Sequence, residues 1–507
     1  MLFAFCLTQI SLSAQEYDLN KYKYRYQNNR GFTTSFDIRG DGELSTVKYK
    51  DNDTIAESVN INDINNRAFN YRLGLFYFSN TNTDRLQRET SLFLNSRANF
   101  NQNGSGRKLN DSLVSSQANN ASNYDNSVIY NQLNRFYKPN NSFTYLSYGG
   151  SGSINGSNFF NSRSTSGDFN QKINRNRLQA NLSIGKGKGR IENVSDAVSA
   201  MFIIKDLQEK GGLGQLSDVQ TELIAQGITT ARNRRFIDFR FRIIDQIALL
   251  DSFFTLAGAK PDNDLIYYTT LYDNWFYATN FFRGSGKRFT YSLSNSASYD
   301  KFTNTLEESI GRDYTYINTI NTDLYNALNL EYTSSKQLSL YHERSFIISA
   351  QSGLRHQTDL AERKDSFQIS LPYSERSSKF KNGDAVISTI DLTYSQLYQP
   401  NTRTYLRWSA SANYLQQNSL LGLRVSNPAK ENNVLQTLGA NFNLNFFHFF
   451  SPRLSIYANA NIRANALLSS RQREIIYAPN NLLNFESNNR AIGGGVGFSA
   501  GLVYALF

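Results

Sequence analysis

Large apolar side chains alternate with small or polar ones in several stretches of about ten residues. The last such stretch runs from Ile492 to Leu506, with apolar groups at most even positions and glycine or serine at most odd ones. Successive side chains of a β-strand point to opposite faces, so each stretch has one apolar face and one polar or narrow face. A transmembrane β-barrel crosses lipid with strands of this kind.

Further alternating stretches lie at 178–184, 406–414, 438–446 and 454–462. In one of them Asn441, Asn443 and Asn445 share a face and apolar groups occupy the other. A soluble β-sandwich also alternates. The number of long alternating strands, together with the secretory signal described below, favours the membrane barrel.

The connections between strands give an independent check on this fold. Turn-forming sequences mark short turns at 80–86, 138–141, 333–336, 399–402 and 449–452. Longer polar links lie at 49–67, 102–126, 156–170, 301–314, 357–384, 418–432 and 469–490. The predicted strands are 31–48, 68–80, 87–101, 127–137, 142–155, 171–185, 288–300, 315–332, 337–356, 385–398, 402–417, 433–448, 452–468 and 491–507.

An up-and-down order of these 14 strands places every short turn at one end and every long link at the other. Outer-membrane barrels have short periplasmic turns, so we assign the short turns to the periplasm. A hairpin extension at 367–371 leaves 16 strands as an alternative. The predicted fold class is mainly β: a closed antiparallel transmembrane β-barrel with a helical periplasmic insert.

The insert is predicted where the apolar period changes from two to that of an α-helix. One helix is expected from an N-cap at Ser195 to Gly211, a second after a capping box formed by Ser217 and Gln220, and a third over 229–256. The aromatic segment 267–282 is expected to seat this helical domain on the barrel rim; an extra strand is the alternative.

The start of the chain resembles a secretory signal. An apolar run, Leu2–Ile10, is followed by small residues up to Ala14, and charge begins at Glu16. The single cysteine, Cys6, lies in this run. The predicted domains are a signal peptide at 1–14, the first barrel half at 15–185, the helical insert at 186–285 and the second barrel half at 286–507.

Composition agrees with a strand-rich protein. Aromatic residues make up 14% of the chain and there are only 7 prolines, as aromatic girdles and long strands require. The formal net charge is +11, but Lys and Arg are scattered and form no basic stripe. We therefore expect a polar lumen and loops that face anionic sugars, and no nucleic-acid partner.

Candidate chemistry is sparse. Lys186, Lys188 and Arg190 are the candidate contacts with anionic lipid or a cell-wall polymer at the inner rim, with a solvated cluster as the alternative. Gly185 and Gly187 belong to a glycine series that matches neither nucleotide-binding pattern. No cofactor and no metal site is predicted.

Histidine occurs at three positions and none has a second histidine at metal-ligand spacing. His448 is expected at the membrane interface, and His342 lies at one end of a predicted strand. The one candidate for a rim hydrolase is His356 with Asp359 and Asp365, near an outer loop; a loop histidine without a catalytic role is the alternative. The protein is not expected to be an enzyme.

The signal, the alternating strands and the terminal Phe507 resemble the outer-membrane β-barrels of Gram-negative bacteria. The Ala14–Gln15 junction and the Asn- and Tyr-rich strands resemble those of the Bacteroidota. The resemblance implies an outer-membrane location, contact with lipid, and reading of the terminal strand by the barrel assembly machinery. It does not specify a function.

Two functions remain in view from the sequence. The first is a channel or transport scaffold for polar solutes, with the helical insert as a gate or docking site. The second is a surface interaction or export component, handling polysaccharide or protein, in which the barrel is an anchor and the insert recruits a periplasmic protein or cell-wall polymer.

Overall fold

The computed structural model describes residues 17–504 with the exception of 24, 52–57, 110–111, 164–166, 211, 234–238, 278–281, 309–312, 367–373, 381–383, 421–428, 452–453 and 477–481. The predicted signal peptide, Cys6 and the terminal Phe507 therefore lie outside the described residues.

The described chain forms one antiparallel sheet of 14 long strands in an up-and-down order, as the sequence predicts. A short additional strand, β10, pairs only with β9. The strands are β1 Tyr26–Asp51, β2 Ser58–Asn82, β3 Leu86–Leu109, β4 Ser112–Tyr137, β5 Ser142–Arg163, β6 Gly167–Asn193, β7 Gly284–Glu308, β8 Asp313–Gln337, β9 His342–Ser366, β10 Ser374–Phe380, β11 Asp384–Asn401, β12 Thr404–Leu420, β13 Ala429–Phe449, β14 Leu454–Ile476 and β15 Leu482–Tyr504.

Alternation separates the two faces of the sheet. On β6, Leu178, Leu182 and Ile184 lie on one face and are 62%, 44% and 54% exposed. Such exposed apolar rows on consecutive strands suit contact with hydrocarbon. Ser183 lies on the other face and lines an internal cavity. This arrangement is the architecture of an outer-membrane β-barrel.

The strands are longer than the alternation indicates. Most of the polar links expected at 102–126 and 156–170 are strand, since β3 continues to Leu109 and β4 starts at Ser112. Apolar alternation marks only the part of a strand that faces lipid. Beyond it the ladder of backbone hydrogen bonds continues with polar side chains on both faces, so the hydrophobic pattern carries no signal there.

Short connections follow every second strand except β6 and define one end of the barrel, which we name the turn end: residues 83–85, 138–141, 338–341, 402–403 and the segment that begins at Phe450. The expected turn at 333–336 is wrong, because these residues belong to β8 and the chain reverses at 338–341. The predicted hairpin extension near 367–371 falls on undescribed residues; beside it, β10 adds one short strand.

Four helices separate β6 from β7: α1 Ser195–Lys210, α2 Asp218–Asn233, α3 Phe239–Leu256 and α4 Asp264–Tyr277. The capping box is confirmed, with Ser217 N donating to Gln220 Oε1 at 2.9 Å and Gln220 N donating to Ser217 Oγ at 3.3 Å. The expected single helix over 229–256 is wrong at its start, since Thr229 belongs to α2. None of the four described helices is both long and apolar enough to cross a bilayer.

At the start of α1, Asn193 supplies the cap that was expected from Ser195: Asn193 Oδ1 accepts from Ser195 N at 2.9 Å. Ser195 Oγ instead accepts from the backbone of Arg283 at 2.8 Å. The boundaries expected at 186 and 285 also shift, because β6 runs to Asn193 and β7 begins at Gly284, which are direct cross-strand partners. The helical insert is therefore residues 194–283.

The insert has its own apolar core, and part of that core comes from the beginning of the chain. Ile203, Leu207, Ile224, Ile228, Leu250, Phe254 and Leu271 are fully buried in it. Tyr17, Leu19 and Tyr22 pack into the same core, at 7%, 5% and 1% exposure. Residues 17–22, the N-terminal segment, thus belong structurally to the insert and not to the barrel half in which the sequence analysis placed them.

A buried polar network fixes this segment. Thr229 Oγ1 donates to Asp196 Oδ2 at 2.7 Å and shares a 2.7 Å hydrogen bond with the Tyr22 hydroxyl. Arg232 forms an ion pair with Asp196, which is 2% exposed, and its guanidinium lies 5.5 Å from the centre of the Trp275 ring. The Asp196 carboxylate and the hydroxyls of Thr229 and Tyr22 thereby have partners, as burial requires.

Replacing Tyr22 by Ala is expected to destabilise the helical insert by about 3 kcal/mol, because it empties a fully buried aromatic site and removes the Thr229 partner. Urea unfolding followed by Trp275 fluorescence, in a Trp408→Phe background, measures this. Val219→Ala is the control, since Val219 is 77% exposed on α2. Equal unfolding midpoints for Tyr22→Ala and the parent would contradict the docking of the segment.

Alkaline pH is expected to release the N-terminal segment. Burial, with the nearby carboxylates of Glu222 and Asp218, raises the pKa of Tyr17 from 10.0 to about 12. The unfolded chain therefore loses this proton first, and stability falls as pH rises from 10 through 12. Far-ultraviolet circular dichroism of the helices should show less alkaline loss in Tyr17→Phe than in the parent. Tyr272→Phe, at a 45% exposed site, should change nothing.

Candidate functional site

The inward face of β12, β13 and β14 is rich in amides. Ser409, Asn443, Asn461 and Gly497 are successive cross-strand partners, and Arg407, Asn445, Asn459 and Ser499 form the next row. Asn461 Nδ2 donates to Asn441 Oδ1 at 2.9 Å and also bonds Asn443. The shared face of Asn441, Asn443 and Asn445 expected from the alternation is confirmed, and it is the polar wall of the lumen.

Aromatic rings close this wall at the turn end. The Tyr405 and Phe447 rings are stacked with centroids 5.6 Å apart, and Phe449 meets Phe447 edge-on at 4.6 Å. The ring centre of Tyr277, the last residue of α4, lies 5.2 Å from that of Phe449. The insert thus continues the aromatic row of the inner wall.

A cavity of about 270 Å³ lies on the inward face of the strands from β4 to β11. Its lining includes Arg135 of β4, Thr290 of β7, Gln351 of β9 and Asp391 of β11. Side chains from strands this far apart in sheet order line one space because the sheet is strongly curved. The inward surface here is polar.

The insert attaches to the turn between β8 and β9. Leu340 is 1% exposed within the insert core, and Tyr341 contacts Phe202 and Lys205 of α1. Arg283 Nη1 donates to the Leu340 carbonyl at 2.6 Å, and its Nε lies 3.7 Å from Glu343 Oε2. Burial lowers the pKa of Arg283 to about 10, against the opposing effect of the Glu343 charge.

A second attachment joins α4 to the turn between β11 and β12. Asn274 Oδ1 accepts from Thr402 Oγ1 at 3.1 Å, and Asp273 forms an ion pair with Arg403. The Arg403 guanidinium also lies 4.6 Å from the centre of the Tyr277 ring. The expectation that the aromatic segment seats the helical domain on the rim is thus confirmed for α4, and the extra-strand alternative is wrong for residues 264–277.

The three cationic residues predicted at the inner rim do not form one cluster in the structure. Lys186 and Lys188 are exposed and continue the outward row of Leu182 and Ile184 toward the turn end. Lysines at this position suit contact with lipid head groups. Arg190 instead turns inward after Gly189, whose φ of +89° changes the direction of the strand.

The Arg190 side chain is only 7% exposed. Its Nη2 donates to Asn82 Oδ1 at 2.5 Å and to the Thr83 carbonyl at 2.8 Å, and its guanidinium lies 4.5 Å from the Tyr137 ring centre. Glu192 is 3.3 Å from its Nε. Arg190 therefore joins β6 to the turn between β2 and β3 and has little surface left for a polymer.

The hydrolase candidate is wrong in its partners. His356 Nδ1 lies 2.5 Å from Asp384 Oδ1, whereas Asp359 and Asp365, at odd positions of β9, point to the opposite face from His356. Both side chains of the His356–Asp384 pair are well exposed, at 43% and 59%. Thr358 Oγ1 is the hydroxyl next to it, 3.5 Å from His356 Nε2, which is long for a hydrogen bond.

The other two histidines have structural partners. His448 Nδ1 lies 2.7 Å from Thr404 Oγ1 and its ring meets Phe450 edge-on at 4.7 Å, near the turn end. The His342 ring lies 4.8 Å from that of Tyr398. Within the described ranges, no group of three or more His, Cys, Asp or Glu side chains lies close enough together to hold a metal ion.

Comparison with known proteins adds little to this description. No protein-family model matches the chain, and no curated protein matches it. The translocator domain of the autotransporter NalP from Neisseria meningitidis is 10% identical, over 84% of this chain and 90% of that one, with a TM-score of 0.23. OmpT, an outer membrane protein of Vibrio cholerae, folded in vitro, is 9% identical, over 94% and 98%, with a TM-score of 0.17. The fold assignment rests on the strand order and alternation described above.

Arg190→Ala is expected to destabilise the barrel by about 2 kcal/mol, because Asn82 and the Thr83 carbonyl lose a buried charged donor. Lys188→Ala removes an exposed cation from the same strand and should cost less than about 0.5 kcal/mol. The temperature at which the detergent-solubilised protein loses its compact, heat-modifiable gel mobility measures both. Equal losses for the two variants would contradict a structural role for Arg190.

Proposed function

We propose that this protein is a non-enzymatic outer-membrane channel or transport scaffold for polar solutes, with the helical insert gating its turn-end mouth. The observation that carries the proposal is the polar inward face, with its amide rows, behind an apolar outward face. The signal peptide at 1–14, contact with outer-membrane lipid and recognition of β15 by the barrel assembly machinery belong to the same proposal, as does a Bacteroidota origin.

The attachments of the insert support the gating role. The insert follows β6, is fixed to the turns after β8 and β11 and to Phe449 of β13, and holds the N-terminal segment that leads into β1. A body fixed at points spread this far around a ring of strands lies across its opening. The proposed orientation places this mouth in the periplasm, where such an insert meets other proteins or cell-wall polymer.

Removing the insert tests the channel and the gate together. Because Asn193 and Gly284 are cross-strand partners, an Asn-Gly turn in place of residues 194–283 closes β6 and β7 into a hairpin. In planar bilayers the full chain is expected to show small or interrupted single-channel currents, and the shortened chain larger and steadier ones. No current from either form would contradict the channel; equal currents would contradict the gate.

A milder variant keeps the insert in place. Arg403→Ala removes one rim attachment and should lengthen the open intervals of the full chain, since Asp273 and Tyr277 lose their partner. Arg85→Ala is the matched control, because it removes the same charge from an exposed residue of another turn at this end. The two variants should differ in open time and agree in current amplitude.

A second candidate function, recruitment of a periplasmic partner by an anchored barrel, is favoured by one surface. Leu265, Tyr268 and Tyr272 lie on one face of α4 and are 75%, 38% and 45% exposed. Loss of co-purifying protein on Leu265→Ser, with unchanged currents, would favour this function over gating.

A further inference from the structure

The inward face of β2 and β3 carries two arginines at directly paired positions. Arg72 and Arg97 are cross-strand partners, and Arg72 in turn is opposite Asp37 of β1. Tyr71 and Leu73, on either side of Arg72, continue the apolar outward row. Arg72 and its partner Arg97 therefore lie on the inward face, toward the lumen. Residues directly opposite one another have Cβ atoms about 5 Å apart.

Among the described side chains, no carboxylate forms an ion pair with either guanidinium. Asp37 is engaged by Arg39, with 3.1 Å between Arg39 Nη2 and Asp37 Oδ2. Asp125 is the cross-strand neighbour of Arg97 on β4, and no ion pair joins them in the part of the chain that the structure describes. By contrast, Arg175, another inward arginine, is held by Asp300 through Nη2 at 2.5 Å. Like charges directly opposite in a sheet are destabilising. The two positive charges of Arg72 and Arg97 therefore repel each other without a compensating ion pair.

The surroundings suit an oxyanion. One cavity of about 500 Å³ on this face is lined by three arginines against a single carboxylate: Arg39, Arg72, Arg97 and Asp37, together with Asn70 and Asn99. Guanidinium groups present paired N–H donors in the geometry that phosphate and carboxylate oxygens accept, and amide N–H groups add further donors.

We propose that Arg72 and Arg97 form an anion-binding site in the lumen wall for the phosphate group of a phosphorylated solute. A bound phosphate bridges the two guanidinium groups and removes their repulsion. The site deepens the proposed channel function, on which it rests only for the entry of solutes into the lumen. Binding itself is a property of the inward wall and is measured without a current.

Isothermal titration of the detergent-solubilised full chain with inorganic phosphate tests the site. Arg72→Gln and Arg97→Gln should each weaken phosphate binding about tenfold, the loss of one charge-assisted contact, and Arg97→Lys should recover part of it. Arg175→Gln is the matched control: it makes the same change in lumen charge at a residue held by Asp300, and should change the affinity less than about twofold.

Thermal unfolding separates a binding role from a structural one. Without phosphate, Arg97→Gln should unfold at the same temperature as the parent or higher, since a repulsion is removed. Phosphate should raise the unfolding temperature of the parent and of Arg175→Gln, and should raise that of Arg97→Gln much less. Undiminished phosphate binding in Arg72→Gln and Arg97→Gln, or an equal loss in Arg175→Gln, would overturn the proposal. If the protein binds phosphate but carries no current, the result would support the anion-binding site and contradict only the proposed channel function.

Discussion

Every backbone N–H and C=O inside hydrocarbon must find a partner within the protein, and this requirement governs the rest of the molecule. Here the partners come from a ladder that runs from β1 to β15 with each long strand paired to its sequence neighbour. Helices are accommodated only outside the apolar band, and all four described α-helices lie between β6 and β7, beyond the turn end. The side-chain period of two, with apolar groups outward and amides inward, follows from the same ladder.

The parts of this fold that can be predicted from sequence are those that alternate. The alternation from Leu438 to Phe446 predicts directly which residues lie on each face of the strand. Such stretches, together with the turns between them, predict the fourteen long strands. The length of strand that extends beyond the lipid cannot be predicted in this way, because a strand with Asn and Ser on both faces has the same sequence pattern as a polar loop. The turn misplaced at 333–336 has the same cause: Thr333 and Ser334 are turn-like residues that β8 nevertheless pairs with β7.

Tertiary contacts explain the other differences. Nothing local shows that Tyr17 and Tyr22 enter a core formed about two hundred residues later. Arg190 has the alternation of an outward residue, and only the left-handed Gly189 turns it toward Asn82. For His356, in contrast, the sequence is sufficient. An even and an odd position of one strand face opposite sides of the sheet, so His356 and Asp359 cannot act together.

The length of β6 has a consequence for how the molecule meets its surroundings. Its outward apolar row ends at Leu178, yet the strand continues for eleven residues to Gly167. At about 3.3 Å per residue and the usual barrel tilt, the tip of the β5–β6 hairpin stands roughly 30 Å clear of the hydrocarbon. Fields from lipid head groups decay over about 10 Å in physiological salt. The tip of this hairpin, at the end opposite the turn end, is therefore beyond the reach of the head-group charges, and a molecule approaching it first meets the charges of the protein.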